Sequence, residues 1–103
     1  MSKTVKVGEV TEFGPGEGKM VEVEGVNLAV FNVEGTYYAI ANACTHVGGS
    51  LGEGALIGNE VTCPLHAARF DVTCGIVLSG PASSDAKSFP VSLVGNDVFV
   101  ELE

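Results

Sequence analysis

The chain has 103 residues, of which 46% are hydrophobic and 17% charged, a composition that supports one packed domain over residues 1–103. Thirteen acidic and five basic residues give a formal net charge of −8, which argues against binding to nucleic acid or to an anionic membrane. No apolar stretch approaches the roughly 20 residues of a membrane span, and the N-terminus lacks the apolar core of a secretory signal. We therefore expect a cytoplasmic protein. Its acidity suits a partner with a basic docking face as well as it suits solubility alone.

Short alternating segments, separated by turn residues, predict β-strands along the whole chain. No segment shows helical periodicity. The sequence therefore predicts an all-β fold, an antiparallel sandwich or barrel. The predicted strands and hairpins lie, in chain order, at residues 3–7, 19–25, 28–42 (two strands around Glu34-Gly35), 55–63 (around Gly58-Asn59) and 91–102 (around Gly95-Asn96).

Two of the three cysteines and both histidines form two mixed pairs. Cys44 and His46 form C-x-H, and sixteen residues later Cys63 and His66 form C-x-x-H. A single cysteine or histidine is more often structural, but each of these pairs directly follows a predicted strand. Two loops at strand ends can present four side chains to one site, so the pattern predicts a metal centre.

Two kinds of metal centre fit this ligand set. A structural zinc ion accepts two cysteines and two histidines in tetrahedral geometry, although zinc sites commonly group like with like and carry the histidines on a helix. A two-iron cluster needs two protein ligands on each iron, and two mixed loops would supply both irons from both sides. The mixed pairs favour the cluster, and the spacing leaves both alternatives open.

The two pairs, continued by CPLHAARFDVTCG and LSGPA, resemble the signature of the Rieske [2Fe–2S] proteins. The resemblance covers most of the chain and implies the Rieske fold, with a cluster-binding subdomain at about residues 43–81. It implies that Cys44 and Cys63 bind the inner iron. His46 and His66 would bind the outer iron through one ring nitrogen each, with the other nitrogen toward solvent.

The resemblance also implies the chemistry of the site. An oxidised cluster with two thiolates and two neutral imidazoles has zero formal charge, so it accepts an electron more easily than an all-cysteine cluster, which is already an anion. Potentials of roughly −150 to +300 mV, against about −400 mV for plant-type clusters, follow from this difference. Because no coordination position is left for a substrate, a one-electron carrier is expected rather than an enzyme.

Several positions depart from the pattern of the high-potential Rieske proteins found in respiratory complexes. Those proteins have a disulfide between the two loops, and serine and tyrosine hydroxyls that donate hydrogen bonds to the cluster. Fewer donors leave the negative charge of the cluster less stabilised, which lowers the potential. The resemblance therefore predicts a low-potential ferredoxin of the kind found in bacterial aromatic-ring-hydroxylating dioxygenase systems. The positions concerned are Gly49, Leu65, Ala68 and Phe70.

In that family such a carrier takes one electron from a flavin-dependent NAD(P)H reductase and passes it to a terminal oxygenase. Both partners are expected to dock transiently at an apex formed by His46 and His66. The alternatives are the small subunit of an assimilatory nitrite reductase, which shares the fold, and a structural zinc domain. Val47, Leu65 and Pro81 are expected to form an apolar collar around the apex. The loop around Gly80-Pro81 would cover one side of the cluster, and the acidic Glu53 would lie further out.

The third cysteine, Cys74, lies in the sequence FDVTCG, outside both ligand pairs. Members of the family commonly have a turn before a strand at this point. The odd number of cysteines and the absence of a recognisable secretory signal argue against a disulfide framework. We expect an unpaired thiol, and a redox-sensing role is the alternative.

Overall fold

The computed structural model describes residues 3–42, 50–64, 68–79 and 85–102. These residues form short β-strands and two 3₁₀ helices of three residues each, Val10–Glu12 and Leu51–Glu53. Neither of these helices is long or apolar enough to cross a membrane. The strands are β1 (Lys3–Glu9), β2 (Gly18–Val23), β3 (Val26–Val33), β4 (Thr36–Ala41), β5 (Ala55–Ile57), β6 (Glu60–Thr62), β7 (Arg69–Asp71), β8 (Val77–Ser79), β9 (Ser88–Phe89), β10 (Val91–Val94) and β11 (Asp97–Leu102).

The strands pair antiparallel in three sheets, and the predicted all-β class is confirmed. The first sheet has the order β1-β11-β10, the central sheet β2-β3-β4-β9, and the third sheet β5-β6-β7-β8. The third sheet contains the predicted hairpin at residues 55–63 and lies within the region, about residues 43–81, that is expected to bind the cluster. This sheet is built from strands of three residues each.

The central sheet is buried on both faces. Leu28 and Val30 of β3 belong to a core shared with the first sheet, whereas Ala29 and Phe31 belong to a second core shared with the third sheet. The apolar run LAVF therefore lacks polar alternation because both of its faces are covered. The second core also contains Ile40, Leu51, Val61, Cys63, Ala68, Phe70, Val72 and Ala86.

The predicted hairpins are confirmed, with strand ends that differ by one or two residues. Glu34 and Gly35 both have positive φ angles, 52° and 90°, as the two-residue turns of twisted hairpins require. A second Glu-Gly turn was not predicted. Glu24 and Gly25, with φ angles of 52° and 76°, join β2 to β3, although the sequence pattern continued the earlier strand through Gly25.

Three strands of the structure lie outside the strand ranges predicted from the sequence pattern, namely β7, β8 and β9. With two or three residues each, they are too short to show an alternating pattern. The turn expected around Cys74 is confirmed, since the Gly75 N–H donates a hydrogen bond to the Asp71 carbonyl oxygen at 2.7 Å, and β8 follows. Cys74 is exposed.

Candidate metal centre

Cys63 is the predicted ligand that the structure describes, and it lies directly after β6. Its relative exposure is 1%, and it belongs to the second core together with Val61 and Phe70. Its backbone N–H donates a hydrogen bond of 2.7 Å to the Ala68 carbonyl oxygen. This bond joins the two ends of the segment that carries His66, so that segment starts and ends on fixed backbone.

The other three predicted ligands, Cys44, His46 and His66, lie outside the described residues. So do Val47, Gly49, Leu65 and Gly80-Pro81. The flanking residues that are described nevertheless show where each ligand segment begins and ends.

Asn42 joins the two ends of the segment that carries Cys44 and His46. Its backbone carbonyl accepts a hydrogen bond from the Leu51 N–H at 2.8 Å. Its side-chain Oδ1 accepts a second from the Gly52 N–H at 2.8 Å and a third from the Ser50 hydroxyl at 3.2 Å. Asn42 is only 8% exposed, so these bonds are largely shielded from water.

The ends of the two ligand segments are packed against each other. Gly54, which follows the 3₁₀ helix Leu51–Glu53, lies with its backbone against the Thr62 carbonyl, one residue before Cys63. A Cβ atom on Gly54 would clash with that carbonyl oxygen. Leu51 is fully buried in the same core as Cys63. The bases of both predicted ligand segments therefore meet beside Cys63.

The described chain also stops at Ser79, before a third segment, residues 80–84. Arg69 of β7 is opposite Thr62 of β6 and opposite Ser79 of β8, so these three residues form one row at one end of the third sheet. The Asp85 carboxylate accepts a hydrogen bond of 2.9 Å from the Val77 N–H, which fixes the chain where the third segment ends.

Sequence reasoning missed three residues that organise this region, Asn42, Gly54 and Asp85. The available signal was weak. Asn42 is a polar residue directly after an apolar strand and two positions before Cys44, and asparagine at such a position commonly bonds neighbouring backbone. The close approach of Gly54 to β6 leaves no mark in the sequence beyond the glycine itself.

Acidic residues flank the ligand segments, and the basic residues of the chain are engaged with other groups. Glu53 and Asp85 are exposed, and neither forms an ion pair with another described residue. The pKa of Lys6 is raised by its hydrogen bond with Asp97 and by the charge of that carboxylate. The remaining basic groups are engaged in the pairs Lys3–Glu24, Lys19–Glu12 and Arg69–Glu60 and in the contact of Lys87 with the Phe89 ring.

The environment of Cys63 fits a metal-bound thiolate. A thiolate without a compensating charge is unstable among apolar neighbours such as Val61 and Phe70, whereas coordination to iron or zinc neutralises it. The predicted ligand set of Cys44, His46, Cys63 and His66 would supply two thiolates and two imidazoles. That set fits a Rieske cluster and a zinc ion alike on chemistry alone.

Comparison with known proteins decides between these two metals. Residues 3–90 match the Rieske [2Fe-2S] domain. The chain belongs to the Rieske family. It therefore binds a [2Fe–2S] cluster, and its function is electron transfer rather than catalysis.

Proteins similar to this Rieske protein include ferredoxins of dioxygenase systems. The chain is 42% identical over 91 residues to the ferredoxin component of the naphthalene 1,2-dioxygenase system of Pseudomonas aeruginosa, and the match covers 88% of each chain. The ferredoxin of carbazole 1,9a-dioxygenase from Nocardioides aromaticivorans IC177 is similar in structure, with a TM-score of 0.91, 29% identity and coverage of 95% of this chain and 96% of that one.

A solved complex of reduced oxygenase and oxidised ferredoxin in carbazole 1,9a-dioxygenase contains a chain that matches at a TM-score of 0.89 and 34% identity, covering 94% of this chain and 91% of that chain. The putative NADH-dependent nitrite reductase small subunit from Mycobacterium tuberculosis has the same TM-score, 0.89, at 19% identity, covering 100% of this chain and 97% of that chain. At that identity the likeness extends to the fold alone, so it gives no support to the nitrite reductase alternative.

The contact between Gly54 and Thr62 predicts that Gly54→Ala disturbs cluster binding. The φ angle of Gly54 is −78°, which alanine adopts without strain, so the effect would come from the clash with β6. We expect the purified variant to contain clearly less iron per chain than the wild type, measured by iron analysis and visible absorption.

Gly58→Ala is the matched control. Gly58 has a φ of 62° and nothing within 4 Å of an added Cβ, so alanine there costs about 1–2 kcal/mol of backbone strain without touching the ligand segments. It should lower the unfolding midpoint while leaving the iron content unchanged. A Gly54→Ala protein with wild-type iron content would show that this contact does not support the site.

Proposed function

We propose that the protein is the ferredoxin component of an aromatic-ring-hydroxylating dioxygenase system, where it passes single electrons from a flavin-dependent NAD(P)H reductase to a terminal oxygenase. The observation that carries this proposal is the similarity over 88% of both chains to a naphthalene 1,2-dioxygenase ferredoxin component. The similarity to a ferredoxin solved in complex with its oxygenase supports the same partner. The composition and the relatives favour a cytoplasmic location.

For the ligands we propose Cys44 and Cys63 on the inner iron and His46 and His66 on the outer iron. The burial of Cys63 in the second core supports its assignment to the inner iron. When bound, the cluster supplies a centre that takes up and releases one electron. The protein's part is to hold the Cys63 thiolate in apolar surroundings and to fix the ends of the ligand segments through hydrogen bonds.

The domain organisation that we propose is a single Rieske domain over residues 1–103, with its cluster-binding subdomain at about 43–81. Two observations support it. The second core contains residues of both the central and the third sheet, and the first core joins the central sheet to the first. The chain between β4 and β9 contains the third sheet and the segments that carry all four proposed ligands.

The ligand assignment predicts different outcomes for two cysteine substitutions. Cys63→Ser should give a protein that lacks the red-brown colour and contains little iron, because the inner iron loses a thiolate. Cys74→Ser should keep the wild-type visible spectrum and iron content, because Cys74 lies exposed in the turn after β7. A coloured, iron-replete Cys63→Ser protein would contradict the assignment, and so would a colourless wild type that contains zinc.

Docking is proposed at the apex formed by His46 and His66, with electrostatic guidance from acidic residues nearby. Glu53 is exposed at the end of the 3₁₀ helix that follows the first ligand segment, and Asp85 is exposed directly after the third segment. Opposite charge on a partner accelerates encounter, and the effect weakens as salt is added. A reductase or oxygenase with a basic docking face would therefore be recognised at this end of the molecule.

Charge reversal at two exposed positions tests this guidance. Glu53→Lys should slow electron transfer to the oxygenase at low ionic strength, by roughly tenfold, and the difference from wild type should shrink with added salt. Glu34→Lys introduces the same change of charge in the turn between β3 and β4, where β4 begins rather than ends. It should leave the rate nearly unchanged. Equal slowing by both substitutions, measured by stopped-flow absorption, would mean that only net charge matters.

A further inference from the structure

Among the described residues, two polar side chains are buried, Asn32 at 4% and Asn42 at 8% exposure. Both lie on the central sheet or directly after it, and both bind the backbone of a neighbouring loop. A buried amide persists only when its hydrogen bonds are satisfied. Each of the two asparagines therefore holds a different loop in place.

Asn32 serves a loop remote from the predicted ligands. Its Nδ2 donates to the Phe13 carbonyl oxygen at 2.8 Å, and its Oδ1 accepts from the Gly35 N–H at 2.8 Å. It lies near the end of β3, next to the turn that leads into β4. Its bonds thus fix the chain around Phe13 and the Glu34-Gly35 turn.

Asn42 serves the first ligand segment, at the opposite end of β4. The described chain stops at Asn42, directly after β4, and resumes at Ser50 after the segment 43–49. The Asn42 carbonyl and Oδ1 together accept three hydrogen bonds, from the Leu51 N–H, the Gly52 N–H and the Ser50 hydroxyl. The Asn42 N–H in turn donates to the Asn27 carbonyl oxygen at 3.0 Å, which ties this junction to β3.

Asn42 therefore joins the two ends of the segment that contains Cys44 and His46, and two of its three accepted hydrogen bonds depend on its side chain. We propose that Asn42 is a positioning residue for the cluster, which acts by clamping the base of the first ligand segment onto the central sheet through Ser50 and Gly52. The inference rests on the proposed assignment of Cys44 and His46 as ligands. Residues that orient metal ligands without touching the metal affect metal retention and electronic structure through geometry.

The clamp predicts an effect on the cluster that exceeds the effect on the fold. Asn42→Ala removes the Oδ1 acceptor and leaves the Gly52 N–H and the Ser50 hydroxyl without it. Iron release to an excess of chelator should become faster by about tenfold. The EPR spectrum of the reduced protein should change in shape, because the ligand geometry is no longer held.

Asn32→Ala is the matched control, since it removes an equally buried amide with similar bonds from the other end of the sheet. Both alanine variants should lower the unfolding midpoint measured by circular dichroism. Only Asn42→Ala should accelerate iron release and alter the EPR spectrum. Asn42→Asp keeps an acceptor oxygen at the same place and should restore both the slow release and the wild-type spectral shape.

If Asn42→Ala does not accumulate as folded protein, a less disruptive substitution at Ser50 still tests the hydrogen bond to Asn42. Ser50→Ala removes only the hydroxyl donor and should shift iron release in the same direction but by less, whereas Ser92→Ala, at an exposed position on β10, should have no effect.

The inference is overturned if Asn42→Ala and Asn32→Ala release iron at the same rate with unchanged EPR spectra, or if Ser50→Ala and Ser92→Ala behave alike. Failure of the ligand assignment itself would look different, because Cys44→Ser would then retain the cluster.

Discussion

Cys63 can hold a metal in a defined place only if the strand before it is fixed, and that strand, β6, has three residues. So short a strand gains little stability from its own hydrogen bonds to neighbouring strands. Its position therefore depends on the burial of Val61 and Cys63 in the second core. That core exists because the central sheet presents Phe31 and Ile40 to the third sheet. The hydrogen bond from the Cys63 N–H to the Ala68 carbonyl fixes both ends of the segment that carries His66. The contact of Gly54 with Thr62 holds the end of the other ligand segment against β6.

The architecture separates the scaffold from the site. The first sheet packs against one face of the central sheet, and the core between them does not include Cys63, the proposed ligand that the structure describes. The third sheet packs against the other face. The chain between β6 and β7 carries His66, and the chain between β4 of the central sheet and the Leu51–Glu53 helix carries Cys44 and His46. An electron carrier works best when its metal ligands move little between oxidation states. A central sheet that is packed on both faces gives the site a rigid support.

Much of the fold could be predicted from the sequence because its long strands alternate or form unbroken apolar runs. The hairpins at Glu34-Gly35 and Gly95-Asn96 were identified from their turn residues. The strands β7, β8 and β9 were missed by the pattern because two or three residues show no alternation. The metal centre was predicted from its chemistry, since the ligand types and their mixed spacing are local features. Its supports, Asn42, Gly54 and Asp85, depend on contacts between distant segments, which no local pattern encodes.

Ala68 and Phe70 stand where the high-potential Rieske proteins have hydroxyl-bearing side chains, and this difference bears on the reduction potential of the cluster. Both side chains are fully buried in the second core, and neither carries a hydroxyl that could donate to the cluster, so the reduced state has less stabilisation than in the high-potential proteins. The most direct test is a redox titration of the purified wild-type protein, followed by its visible absorption. We predict a single one-electron transition in the lower part of the range of roughly −150 to +300 mV. A midpoint potential well above that of the standard hydrogen electrode would contradict the account. So would the absence of any reversible loss of visible absorption on reduction.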